Sequence, residues 1–339
     1  MNKTAIAILN WNNKNLLEKF LPNIINSSNN IADIYVIDNY STDNSIEFIK
    51  SNFPSVGIIQ NNKNYGFAKG YNIGLKEIKN KYLLLINSDV DVRKNWLEPL
   101  IQELENNEKM GACQPTILSY NDNSLYEYAG AAGGFIDYLG YPFCRGRIFN
   151  TIEKNNNHYK DSEIFWASGA CFIIRNELFK KINGFDELFF AHMEEIDLCW
   201  RLQHLGYKIG FCSKSKVFHI GAATLNHSSK KTYLNYRNNL FMLCKNLHAS
   251  KLIPILFKRL FLDGIAGVKL LSEGKLLHML SIIKAHWVFY LTSYKVFSKR
   301  KEILSKSVLN SKNIYKKSII QKYFIERKKT YKDLNWNPK

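Results

Sequence analysis

Four short apolar runs in the first ninety residues constrain the fold most, and three of them stop at Asn or Asp. They are Thr4–Leu9 followed by Asn10-Trp11-Asn12, Asp33–Ile37 followed by Asp38, Val56–Gln60, and Lys81–Ile86 followed by Asn87-Ser88-Asp89. Short runs without polar alternation suit strands buried on both faces. Helical spacing fills the gaps. Asn15–Phe20 puts Leu16, Leu17 and Phe20 on one face, the polar cluster Asn39–Ser45 can cap a helix over Ser45–Lys50, and the glycine-spaced turn Asn64–Gly74 leads into another. This alternation predicts an α/β fold with a mostly parallel sheet and helices on both faces. Such sheets bind ligands beyond the carboxyl ends of their strands. Asn10, Asp38 and Asp89 are therefore expected around one crevice.

The chain continues with a predicted helix over Trp96–Asn106, a strand and turn at Gly111–Pro115, and an irregular Gly-, Tyr- and Asn-rich stretch, Tyr120–Tyr159. A strand is predicted over Phe165–Arg175, a short helix over Asn176–Ile182, and strands over Lys208–Cys212 and Lys216–His219. Between them, Glu194–Leu205 predicts a helix headed by Glu194, Glu195 and Asp197 and closed by Gly206. Neighbouring carboxylates raise each other's cost of ionisation. The cluster reads either as a solvated first turn, where acids suit the helix dipole, or as a catalytic base facing a cleft. Asn87–Asp91 offers hard oxygen ligands of the kind Mg²⁺ or Mn²⁺ takes beside a diphosphate, although the same pattern forms plain turns. His219 is either structural or a ligand. Asp38 either caps a turn or accepts hydrogen bonds from a base or ribose. The Gly66–Gly74 turn is open enough to approach phosphates, without being a dinucleotide fingerprint.

Charge divides the chain. Residues 1–229 hold 23 Lys and Arg against 24 Asp and Glu; residues 230–339 hold 24 against 5. A near-neutral domain over 1–229 with a basic helical region over 230–339 is expected, and an anionic membrane surface as its partner. No nucleic-acid-reading motif accompanies the charge, so no nucleic acid is expected. Leu252–Leu271 and Leu276–Phe297 are apolar with interspersed charges. Neither holds the ~20 uninterrupted apolar residues of a spanning helix. Each reads as an amphipathic helix, lying on a bilayer or packed on the body. Residues 298–339 are Lys-rich and read as loosely structured. The six cysteines are scattered without a CxxC pair, which suits buried thiols in a reducing compartment. The N-terminal apolar run is too short for a secretory leader.

Taken in order, ILNWN, VIDNYSTDNS, NYGFAKGYNIG, LLLINSDVDV, the stretch from Ser168 to Gly210 and VFHIG resemble the family 2 inverting glycosyltransferases of the GT-A fold, most closely the rhamnosyltransferase-like enzymes of surface polysaccharide assembly. The resemblance covers about the first two-thirds of the chain. It implies a sugar, rhamnose among the options, moved from a nucleoside-diphosphate donor to a saccharide or lipid-linked acceptor. Asn10, Asp38, Asn64, Asn72 and Asn87 would lie at the nucleotide sugar. Asp89, with Asp91 and His219 as further candidates, would hold Mg²⁺ or Mn²⁺. Glu195 falls on the usual base, with Glu194 as its alternative and Asp197 beside them, and Trp166 and Ser168 would shape the acceptor side. The enzyme would work in the cytoplasm, on the inner face of the membrane. The alternatives are a sugar-1-phosphate nucleotidyltransferase, which would need a Gly-rich, Arg-containing loop where Asn10–Asn13 stands, and an inactive membrane-associated sugar-nucleotide-binding protein.

Overall fold

The carboxyl ends of three strands line up, as the apolar runs predict. The computed structural model describes residues 2–28, 30–221, 228–305, 307 and 313–338. The first part comprises β1 (Thr4–Asn10), α1 (Lys14–Ser28), β2 (Ala32–Asp38), α2 (Ser45–Asn52), β3 (Gly57–Gln60), α3 (Gly66–Leu75) and β4 (Tyr82–Asn87). Strand β1 pairs in parallel with β2 and β4, setting Asn10 opposite Asp38 and Leu9 opposite Asn87. Strand β3 continues the sheet beside β2. Side-chain alternation along β1 feeds two apolar layers. Ala5 and Ala7 face the layer holding Tyr71 and Phe172, and Ile6 and Ile8 face the layer holding Leu17 and Trp96.

There follow β5 (Val90–Val92), α4 (Glu98–Asn106), β6 (Met110–Ser119), the short strands β7 (Gly134–Asp137), β8 (Pro142–Cys144), β9 (Arg147–Ile148) and β10 (Thr151–Ile152), then β11 (Ser162–Ile164), β12 (Cys171–Arg175), α5 (Asn176–Lys181), α6 (Glu194–His204) and β13 (Lys208–His219). The large sheet runs β11-β13-β6-β12-β4-β1-β2-β3, with β5 on β13. It is mixed, because β12 lies antiparallel between β4 and β6. A strand buried on both faces reads the same in either direction, so the pattern could not give its sense. The strand predicted over Phe165–Arg175 is shorter, beginning at Cys171. The two strands predicted over 208–219 are one, irregular between Cys212 and Lys216.

The C-terminal region adds α7 (Ser229–Asn246), α8 (Ala249–Ser272), α9 (Leu276–Ser305) and β14 (Ile314–Tyr315). Strand β14 pairs with β7 and completes a second sheet, β10-β9-β8-β7-β14, inside the stretch that reads as irregular. The described residues of 313–338 are not loose. The Trp336 ring packs 5.1 Å from Phe135 and 5.2 Å from Tyr315, and Tyr331 is buried. A few aromatic residues spaced among lysines suffice to dock the segment, which composition alone conceals. Residues 306, 308–312 and 339 of that stretch lie outside the described residues. Among the described residues, no helix is long and apolar enough to cross a membrane.

Candidate active site

The strand ends carry a network of amides and one carboxylate. Asn10 is fully buried, and its Nδ2 donates to Asp38 Oδ1 at 3.1 Å and Ser41 Oγ at 3.0 Å. Asp38 Oδ2 accepts the Ser41 N–H at 2.9 Å. Asn39 ties this cluster to the next turn: its Nδ2 donates to Asn64 Oδ1 at 3.0 Å and its Oδ1 accepts from Asn61 Nδ2 at 3.1 Å. Sequence reasoning missed Asn39 and Asn61; their signal was the asparagine that follows each strand. Asn72 sits apart from the strand ends, donating to the Phe185 carbonyl at 2.8 Å and accepting the Phe185 N–H at 2.9 Å.

The glycine-spaced turn packs against protein instead of reaching for phosphate. A Cβ at Gly66, whose φ is +74°, would meet the Phe190 ring at 2.5 Å, and one at Gly74 would meet Ile37 at 2.5 Å. The first N–H groups of α3 are also taken, with Phe67 N and Ala68 N donating to the Phe190 carbonyl at 2.9 and 3.2 Å. The phosphate expectation for this turn is therefore corrected. Its glycines serve close helix packing.

Asp89 and His219 meet where β5 pairs with β13, Oδ1 to Nε2 at 3.1 Å, although they are 130 positions apart. His219 Nδ1 lies 3.3 Å from Glu127 Oε2. Burial by itself would lower the imidazole pKa, but the bonds to Asp89 and Glu127 outweigh it and push it up to about 10. Glu127, missed from sequence, comes from the irregular stretch, where no periodicity marks it. Its Oε2 also accepts the Ala129 N–H. Asp91 points elsewhere, accepting from Asn23 Nδ2 at 2.8 Å and pairing with Arg93 at 3.3 Å. Among the described residues, no group of three or more His, Cys, Asp or Glu is arranged to hold an ion unaided. The Asp89–His219 pair still fits a divalent ion in its chemistry. A carboxylate oxygen and an imidazole nitrogen already meet, and an ion would replace the proton they share. Mg²⁺ and Mn²⁺ are commonly held by one or two protein ligands, the rest of the shell coming from phosphates and water.

The three acids of α6 have separate fates. Asp197 is fully buried; its Oδ2 accepts from Arg201 Nε and Lys245 Nζ, each at 2.8 Å, and its Oδ1 from Asn246 Nδ2 at 2.8 Å. Burial would raise this carboxyl, yet Lys245 and Arg201 hold it below the usual range. It anchors α6 to α7 and takes no part at the cleft. Glu194 is buried, its Oε2 has no hydrogen-bond partner among the described residues, and burial followed by the charge of Glu195 raises its pKa well above normal. Glu195 is half-buried, and burial lifts its pKa to about 7 against the pull of backbone N–H groups. Its Cβ lies 3.9 Å from the position a Cβ at Gly169 would take, while the next carbonyl, Ala170 O, accepts the Asn87 N–H at 3.0 Å. The turn Ser168–Ala170 thus separates Glu195 from the Asn87–Asp89 segment by the width of one backbone.

The loop before α6 is strained and clamped. Phe190, His192 and Met193 all have φ between 65° and 71°, a region costly for bulky side chains. Asn238 of α7 donates to the carbonyls of Phe189, Ala191 and His192 at 2.7–2.9 Å, and Arg237 reaches Leu188 and Phe189. Trp166 and Ser168 face inward. Trp166 Nε1 donates to the Phe135 carbonyl at 2.9 Å, and the Ser168 hydroxyl donates to Ala129 O at 2.8 Å. Both shape the loops behind the cleft without lining an open acceptor face.

A mixed sheet with a polar crevice at its strand ends is the fold of GT-A glycosyltransferases. Solved structures share it. A Staphylococcus aureus TarS fragment with UDP-GlcNAc matches at TM-score 0.55 and 14% identity over 90% of this chain and 91% of that one. A mannosyltransferase from Pyrobaculum calidifontis with GDP-Man and Mn²⁺ matches at TM-score 0.53 and 12% identity, over 90% and 85%. Residues 5–183 match glycosyl transferase family 2, and the chain belongs to that family. Its relatives include a low-salt glycan biosynthesis hexosyltransferase of Haloferax volcanii, 22% identical over 81% of this chain and 87% of the relative. The N-acetylglucosaminyl-diphospho-decaprenol L-rhamnosyltransferase of Mycobacterium tuberculosis is 23% identical over 60% and 71%. The rhamnosyltransferase WbbL of Escherichia coli is 26% identical over 51% and 74%.

Proposed function

We propose that this family 2 enzyme is an inverting transferase moving a hexose or deoxyhexose, rhamnose foremost, from a nucleoside-diphosphate sugar to a glycan or lipid-linked glycan in surface-polysaccharide assembly. The observation that carries it is the Ser168–Ala170 turn, with Glu195 on one side and the Asn87–Asp89 segment on the other. One carboxylate with a pKa near neutrality then lies beside the segment expected to hold the leaving diphosphate. The donor class and the lipid-linked acceptor are supported by what the similar proteins are named for.

In this reading Asn10 and Asp38 contact the nucleotide, and Asn64 supports them through Asn39. Asp89 with His219 would hold a divalent ion, which supplies positive charge against the diphosphate. Glu127 orients His219. Glu195 accepts the proton of the acceptor hydroxyl as its oxygen bonds to the anomeric carbon and the bond from that carbon to the diphosphate oxygen breaks. Glu194, protonated, leaves Glu195 as the base. Residues 1–229 form the catalytic domain. Residues 230–339 brace the acidic loop through α7 and bring an anionic membrane surface on the cytoplasmic side within reach.

A mass-spectrometric screen of nucleotide sugars, followed by NMR assignment of the product anomer, tests the reading. Consumption of one donor with inverted configuration is expected. Retained configuration, or a nucleoside triphosphate consumed in place of the sugar nucleotide, overturns it.

A further inference from the structure

Helices α8 and α9 form a hairpin that carries apolar residues on its outer side as well as its inner side. Its inner side sets a buried polar cluster among apolar residues such as Leu252, Ile255, Ile282, Phe289 and Val296. Arg259 pairs with Asp263 at 3.2 Å, His286 Nε2 meets Asp263 Oδ2 at 3.1 Å, and Tyr141 donates to Asp263 Oδ1 at 2.9 Å. Arg259 Nη1 also reaches Asn239 and the Leu139 carbonyl. Arg259 and Asp263 are at most 1% exposed. The outer side is apolar: Phe257, Phe261 and Val268 of α8 and Trp287, Leu291 and Tyr294 of α9 are 65–74% exposed. On α8 these residues lie opposite the buried stripe, and Lys251, Lys258 and Lys269 follow one margin. Lys284 and Lys295 border the apolar arc of α9 in the same way. Lys269 also sits 5.1 Å over the Phe324 ring, which brings exposed Phe324 and Ile325 alongside the patch.

A water-facing helix pair keeps its outer side polar. Apolar residues outward, over a buried polar cluster that includes the His286–Asp263 contact between the helices, suit apolar surroundings. Contiguous exposed apolar surface of this extent marks an interaction face. We propose that the outer face of the α8–α9 hairpin lies in the plane of an anionic leaflet, its aromatic and aliphatic side chains in the headgroup–acyl boundary and its marginal lysines at the phosphates. This deepens the membrane-surface part of the reading above, and makes apolar burial the main driving force. The lysine margins favour a bilayer over a second copy of the chain, whose own basic C-terminal region, 24 Lys and Arg against 5 Asp and Glu, would repel it.

The test uses the full chain without donor or acceptor, sedimented with phosphatidylcholine vesicles containing or lacking phosphatidylglycerol. Binding to the mixed vesicles is expected to persist at about 1 M salt, where screening acts beyond about 3 Å. Phe257→Glu combined with Phe261→Glu, and Trp287→Glu separately, are each expected to weaken partitioning at least about tenfold with unchanged circular dichroism and Tm. Brominated lipid should quench tryptophan fluorescence less in Trp287→Phe than in the parent. Binding released by salt and unaffected by the Glu variants would leave only a charge contact and overturn the proposal. So would a dimer that shows no vesicle binding and is split by Phe257→Glu/Phe261→Glu, since a second copy would then cover the face. No sugar enters the assay, so its failure and failure of the transferase reading are separate results.

Discussion

The two walls of the crevice are built differently. At the strand ends, neutral amides are bonded to one another by residues that follow their own strands: Asn10, Asn39, Asn61 and Asn64 around Asp38. Across the crevice, the α6 wall is made of charges, and its supports come from far along the chain. Lys245 bridges Asp186 and Asp197, Lys299 adds a second contact to Asp186, and Asn238 holds the loop carbonyls. An amide network can orient a nucleotide through hydrogen bonds alone. A charged network can hold Asp197 ionised while leaving Glu195 poised near neutrality two residues away. In the proposed function, binding and proton transfer would thereby be separated in space and in chemistry.

The largest effect should break the first wall at its acidic end. Asp89→Ala is expected to lower turnover by roughly 100- to 1000-fold, the range for a lost electrostatic stabiliser, and to weaken Mn²⁺ binding measured by calorimetry. Full turnover in excess chelator would end the metal role. On the second wall, Glu195→Gln should cut turnover about 100-fold or more while nucleotide affinity holds, with Glu194→Gln costing far less. Equal losses would mean that Glu194 and Glu195 are not divided as described. Because the base must be ionised, activity should rise with pH through about 7, and that limb should vanish in Glu195→Gln. The same raised pKa gives the folded state stability at low pH that is lost as pH rises through about 7.

Support of the second wall should appear in stability. Lys245→Met leaves Asp186 and Asp197 short of a shared buried cation and should cost about 3–5 kcal/mol, read as a lower urea midpoint. A cost under about 1 kcal/mol would show that Lys299, Arg201 and Asn246 suffice. The smallest effect sharpens the comparison where the walls meet. Glu127→Gln should weaken Mn²⁺ affinity about tenfold through the orientation of His219, with nucleotide affinity measured without metal unchanged.

This difference also decides what the sequence revealed. The strand-end wall was legible because buried strands announce themselves and the polar residues at or just past their ends land in the crevice, as Asn10, Asp38 and Asp89 do. The Glu194–Glu195 pair was visible as an unusual run of acids, but not the division of labour within it. Asp197 joined the buried network because Lys245 and Asn246 lie nearly fifty residues on, and no local pattern pairs them. Trp166 and Ser168 sat beside the right turn but faced the wrong way, since β12 begins later than its apolar run suggests. Glu127 belongs to a segment shaped by a small sheet whose last strand is almost two hundred residues away.

That last strand has a consequence for biosynthesis. Strand β7 pairs with β14 along Ile136–Ile314 and Asp137–Tyr315. At about 5–20 residues per second of translation, the ribosome needs roughly ten to thirty-five seconds to supply β14 after β7 has emerged. For that interval one edge of the nascent small sheet is open, and Phe135 and Phe143 lack the Trp336 ring that later covers them. An open strand edge beside uncovered aromatic rings invites pairing with neighbouring nascent chains. Yield in a cell should therefore depend on chaperone supply during synthesis more than on the stability of the finished fold.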